Sequence, residues 1–182
     1  MKYKIIMMNR TFYVDKKLQF PMIRELNSIL EYLPNLIKLQ SWNTLLINKH
    51  PPIIHRCSLQ IAPDRTLLLH KVFHTNEQPL MHSHSWDLAC KVLQGEYEMG
   101  VGFSSDRNII PPSIYKTIVK FGDIYEMTSS DIWHYTKPLT PYSYSVILIG
   151  ERTRERRAEN ILPLPAKDKV DMMKWFATYF DI

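Results

Sequence analysis

Two histidines, His82 and His84, stand two residues apart in the stretch MHSHSWDLACKVLQGEYEMG, Met81 to Gly100. On a β-strand, where side chains alternate between faces, that spacing sends both imidazoles the same way. Neutral imidazole is the commonest protein ligand for a metal ion. Two on one face need at least one further donor from elsewhere in the chain. His134, fifty residues after His84, can supply it only from a different strand. Asp87 lies close by, but strict alternation from His84 turns it outward, and a local bulge would be needed to bring it in.

The elements around these residues read as strands. The apolar run Leu88–Leu93 leads to Gly95, and an alternating run follows with Tyr97, Met99, Val101 and Phe103 on one face. The spacing predicts a hairpin at Gly95. Cys57–Ile61 alternates, Pro63-Asp64 reads as a turn, and Thr66–Phe73 is strongly β-prone, with His70 and His74 sharing parity with Leu68 and Val72. Further strands are predicted at Tyr115–Phe121, Ile124–Met127, Trp133–Thr136 and Tyr142–Ile149, with Gly122-Asp123 as a turn. Many short strands bracketed by turn residues imply a sandwich or barrel over residues 53–150.

The two ends differ. Tyr3–Met8 is a candidate strand. After Pro21, the residues Ile23, Leu26, Ile29, Leu30 and Leu33 form an amphipathic helical stripe, and Pro34 is expected to end or kink it. Leu36–Ile47 reads as helical or as an irregular cover, so residues 1–52 are expected to form a helical cap. Residues 151–182 form a loop and a helix at Ala166–Phe180, whose Val170, Met173, Trp175, Phe176 and Phe180 face the barrel or a partner chain.

Composition narrows the function. The net charge of +5 is mild, and Arg152, Arg154, Arg156 and Arg157 are interrupted by Glu151, Glu155 and Glu159, which describes a solvated loop and not a nucleic-acid patch. Cys57 and Cys90 form no CxxC motif, and Cys90 reads as a buried free thiol. The apolar run near the N-terminus is too short for a signal-peptide core or a membrane span. A reduced, cytoplasmic protein without nucleic-acid or membrane partners is expected.

At His82, His84 and Gly95 the sequence resembles the cupin superfamily, whose first motif is HxH followed by a Glu and a Gly. The Glu position falls here on Leu88. The second motif runs from Gly to His, and Gly122 and His134 stand at its two ends, without its Pro and internal Gly. The resemblance covers roughly residues 57–150 and extends to small cupins of bacteria and phages that carry HxHxW.

It implies a mainly β fold, a double-stranded β-helix (a jelly-roll barrel), with a metal held by His82, His84 and His134. A site of three imidazoles without a carboxylate resembles that of the thiol dioxygenases, which use Fe(II). Their Ser-His-Tyr relay has no counterpart after Ser145, which argues against cysteine as substrate. Imidazole also suits Zn and Ni, and Mn stays open with them.

His70 and His74 are candidates either for orienting the ligand imidazoles or for purely structural hydrogen bonds. Trp86, Tyr97, Tyr125 and Tyr144 are candidates for lining a pocket or for the core. The readings that follow are a dioxygenase-type enzyme acting on a small molecule, a non-catalytic metal- or metabolite-binding module, and a Zn- or Mn-dependent isomerase or epimerase. No catalytic residue is assigned. Analogy with other cupins suggests a homodimer.

Overall fold

An antiparallel hairpin, β1 (Tyr3–Met7) and β2 (Arg10–Val14), precedes helix α1 (Pro21–Leu39) and strand β3 (Asn43–Ile47). The computed structural model describes residues 3–7, 10–14, 20–39, 41–48, 50–106, 108–151 and 162–182. Met8 and the arginine-rich stretch 152–161 lie outside the described residues.

Pro34 does not end α1. Leu33 and Ile37 on either side of it are both buried, and seating them on the sheet outweighs the roughly 3 kcal/mol that an internal proline costs. Both ends of α1 are tied down. The Ile23 backbone N–H donates to the Glu126 carboxylate at 3.0 Å, and the Trp42 indole N–H donates to the Leu36 carbonyl at 3.2 Å. These bonds satisfy groups that a helix terminus leaves unpaired. The segment Leu36–Ile47 is therefore two things, the last turn of α1 and then strand β3.

Nine further strands follow: β4 (Ile54–Ala62), β5 (Arg65–Phe73), β6 (His82–Ser83), β7 (Leu88–Gln94), β8 (Glu96–Phe103), β9 (Tyr115–Lys120), β10 (Ile124–Met127), β11 (Ile132–Pro138) and β12 (Tyr142–Ile149). Helix α2 (Ala166–Tyr179) closes the chain. One sheet has the order β10-β7-β12-β5-β4-β3 and the other β6-β11-β8-β9, with every pairing antiparallel.

Numbering β5 to β12 as strands one to eight, the sheets read 6-3-8-1 and 2-7-4-5. Successive strands from one to five alternate between sheets until strand five joins strand four. This is the Greek-key connectivity of a jelly roll.

The expected hairpin at Gly95 is not formed. β7 pairs with β10 and β12, whereas β8 pairs with β9 and β11, so Gly95 is a corner where the chain changes sheets. Its φ of +77° suits glycine. A Cβ there would also lie 2.6 Å from both Thr140 Oγ1 and the Tyr142 carbonyl oxygen.

Two cores result. Between the sheets lie Leu68, Leu88, Cys90, Val92, Tyr97, Met99 and their neighbours. On the outer face of the six-stranded sheet, Leu67, Leu69, Ala89, Val146 and Leu148 pack beneath α1 and α2. From α2 the buried residues are Met172 and Phe176, and Trp175 stacks on Tyr144 with ring centroids 3.7 Å apart. Val170, expected on the packed face, is exposed. No described helix is long and apolar enough to cross a membrane.

Candidate metal centre

The short strand β6 pairs with β11 so that His82 stands directly opposite His134. That register brings their rings to 4.6 Å between centroids. His84, just past the end of β6, reaches the same point, and its Nε2 lies 2.9 Å from His134 Nε2. One ligand nitrogen from each of the three falls within 4.8 Å of the others.

Protonation favours ligation. The Leu80 carbonyl only accepts hydrogen bonds, so His82 Nδ1, 3.3 Å from it, carries the proton and Nε2 keeps its lone pair. Burial lowers the pKa of all three histidines. His84 comes down to about 3, by burial first, then by His82 and Arg56. His134 falls well below the usual range, by burial and then by its two imidazole neighbours. For His82, burial again dominates, partly opposed by its bond to Leu80. At neutral pH the site presents three uncharged imidazoles, the form that binds metal.

The residues fit a metal ion. Ligand nitrogens 2.0–2.1 Å from one ion and at right angles are about 2.9 Å apart, the separation of the His84–His134 pair. His134 is buried, its Nδ1 has no hydrogen-bond partner among the described residues, and its Nε2 meets another imidazole. Among the described residues the ring is hydrogen-bonded at Nε2 alone, so its burial leaves Nδ1 uncompensated.

The three histidines open into a cavity of about 110 Å³ between the sheets. Leu88, at the position where the cupin motif has Glu, is one of its walls. Asp87 points away: it is exposed, and its carbonyl accepts the Gly150 N–H at 2.8 Å. No bulge turns it toward the histidines, and it is not part of their group.

The other sequence candidates divide. Trp86 lines the cavity, 5.0 Å from His84 between ring centroids. Tyr97 and Tyr125 also line it, with the Tyr97 hydroxyl donating to Tyr125 at 3.1 Å. Burial holds both phenols well above their usual pKa, so both stay protonated.

His70 lines the cavity too, but its Nε2 accepts from the Arg56 Nε–H at 2.8 Å, so that nitrogen is bonded to a guanidinium and not to a ligand histidine. His74 and Tyr144 are not brought to the site. His74 sits one residue beyond β5 and bonds the Pro138 carbonyl and Asn76. Tyr144 faces α2 on the opposite side of the sheet.

Sequence reading missed Arg56, which lines the cavity from β4 in register with His70. The signal was available. Arg56 shares strand parity with Ile54, so it is a charged residue on the inward side of a strand that begins three residues before Cys57. His50, Thr136 and Ser145 also line the cavity and were not singled out as site residues.

Comparison with protein-family models finds no match, and comparison with curated proteins finds none. Solved structures do resemble the chain. KdgF from Halomonas sp. is 20% identical, with a TM-score of 0.45 over 62% of this chain and 89% of that one. The hydroxypropylphosphonic acid epoxidase from S. wedmorenis is 16% identical, with a TM-score of 0.44 over 59% and 55%. The cupin domain of Schizosaccharomyces pombe Cnp3 is 14% identical, with a TM-score of 0.44 over 59% and 69%.

The fold is a jelly roll. The strand order carries that statement. In this jelly roll the histidine group is built on the β6–β11 pair, and the sheet opposite supplies Arg56, His70 and Leu88 to the same cavity.

Proposed function

We propose that this protein binds a divalent metal ion through His82, His84 and His134 and acts on a small molecule that enters the adjoining cavity. The convergence of three neutral imidazoles, with Leu88 where a carboxylate would stand, supports this reading. Fe(II) is the first choice of ion and a dioxygenase-type oxidation the first choice of reaction, on the resemblance to three-histidine dioxygenases. Bound there, iron would supply the redox chemistry that activates oxygen.

The chain's own residues do the rest. Leu80 fixes the His82 tautomer, Trp86 packs against His84, and apolar side chains such as Leu88 and Ile147 form the walls. Typical ligand pockets measure about 300–1,000 Å³, so a cavity of about 110 Å³ selects a compound of few heavy atoms.

Elemental analysis of protein purified without a metal-chelating column tests the reading. Near-stoichiometric iron in the wild type, lost in His84→Ala, is the expected result, followed by oxygen uptake in a substrate screen. Zinc, nickel or manganese lost in the same way would keep the site but reopen the chemistry, with zinc or manganese turning the search to an isomerase or epimerase. Absence of any divalent metal from both proteins overturns the metal centre. The degraded second motif would then favour a non-catalytic metabolite-binding module.

A further inference from the structure

Two cavities meet at one side chain. The inner one, of about 110 Å³, holds the three histidines. A second, of about 420 Å³, is lined by Ser85, Asp87, Thr128, Ser130, Gly150 and their neighbours, of which Asp87, Thr128 and Ser130 are exposed. Among the described residues Trp86 alone lines both. Its indole separates an outer polar basin from the histidine cavity.

The backbone around Trp86 suits a part that turns between fixed ends. Ser85 and Trp86 form a bend between β6 and β7 and belong to neither strand. On one side of the bend, His82 and Ser83 pair with β11. On the other, the Asp87 carbonyl accepts the Gly150 N–H at 2.8 Å. The half-buried indole packs against His84, ring centroids 5.0 Å apart and planes tilted by 38°. A change of side-chain rotamer, a fast motion that needs no backbone rearrangement, would join the two cavities and uncover a ligand imidazole.

The far end of the inner cavity is built differently. Pro51, Pro52, Pro79 and Leu80 line it there. Proline rings lock φ, and Pro52 and Pro79 are buried. The Leu80 carbonyl is bonded to His82 Nδ1, so a backbone opening at this end would withdraw the acceptor that fixes the tautomer of a ligand histidine.

We infer that Trp86 is the gate of the histidine cavity, and that small molecules reach it from the outer basin past the turned indole. This deepens the function proposed above and rests on that reading for what the entrant meets inside, but not for the route.

Cys90 lines the inner cavity and serves as a reporter, while Cys57, buried beneath α1 and α2, reports unfolding. Chelator-treated protein is exposed to methyl methanethiosulfonate, a small uncharged thiol reagent, and both cysteines are followed by peptide mass spectrometry. An open state populated at about 0.1–10% means that Trp86→Ala should speed Cys90 labelling at least about tenfold, with Cys57 unchanged. Leu80→Ala, at the exposed far end, should change the Cys90 rate by less than about twofold, as expected for a surface position off the route.

An unchanged Cys90 rate in Trp86→Ala overturns the inference, as does an equal or larger acceleration in Leu80→Ala. If Cys57 reacts in step with Cys90 in Trp86→Ala, that variant has unfolded and Ser130→Trp decides. Placed at the exposed rim of the basin, it should slow Cys90 at least about twofold by reducing the fraction of open molecules that admit the reagent, and an unchanged rate overturns the gate. The labelling needs no metal, so the two readings fail separately. Gated labelling in a protein that elemental analysis finds devoid of metal upholds the gate and refutes the metal centre. Stoichiometric metal with ungated labelling does the reverse.

Discussion

The two faces of the six-stranded sheet are built from the same strands to different ends. On β5, Leu67 and Leu69 point toward the helices and are fully buried, while Leu68, His70 and Val72 line the cavity. On β12, Val146 and Leu148 face the helices, and Ser145, Ile147 and Ile149 face the cavity. The outer face is packed with apolar and aromatic side chains beneath α1 and α2. The inner face accepts an incomplete core and places polar groups where packing alone would have put leucine. Stability is thus concentrated on one side of the sheet and chemistry on the other, one residue apart along each strand.

Substitutions should separate the two. Phe176→Ala, at a fully buried position on the helix side, should cost about 3–5 kcal/mol in chemical denaturation. The metal content of the remaining folded protein should not change. A loss of metal in parallel with stability would show that the faces are not independent.

Gly95→Ala strikes the corner that joins the sheets, combining positive φ with contact against Thr140 and Tyr142. It should cost about 2–3 kcal/mol and should also weaken metal binding, because the sheets must be held together for the histidines to meet their cavity.

A subtler difference is expected with pH. Burial, then Arg56 and His84, hold the pKa of His70 well below 6.5. Below pH 6.5 the unfolded chain takes up a proton at this residue that the folded chain refuses, so stability falls as the pH drops through that window. Urea midpoints measured from pH 7 downward should decline less steeply in His70→Gln than in the wild type. Val170→Ala, at an exposed position on α2, should change stability by less than about 0.5 kcal/mol and metal binding not at all.

How much of this the residues disclose depends on whether the information is local. Strand alternation is local, so β5, β10 and β12 are legible almost to the residue, and HxH with a distant His134 marks the centre. Pairing is not local: nothing between Leu88 and Phe103 says that β7 and β8 join different sheets. Tyr144 and Ser145 alternate as strand neighbours do, but alternation alone does not say which face turns to the cavity. Tyr144 ends under α2 while Ser145 enters the cavity. Asn43–Ile47 carries the composition of either a helix end or a strand, and its pairing with β4 decides. Pro34 misleads because a local penalty is outweighed by burial on a sheet formed much later in the chain.

The position of β12 has a consequence for how the protein is made. The last strand of the barrel lies between β5 and β7, hydrogen-bonded to both. As the chain leaves the ribosome, the main sheet therefore exists as two halves with open edges until residue 149 has emerged. Each half exposes strand edges of the kind that recruit other chains. Closure then depends on contacts between segments far apart in sequence, and such topologies fold slowly. The length of time the nascent barrel waits for its eighth strand sets its exposure to aggregation.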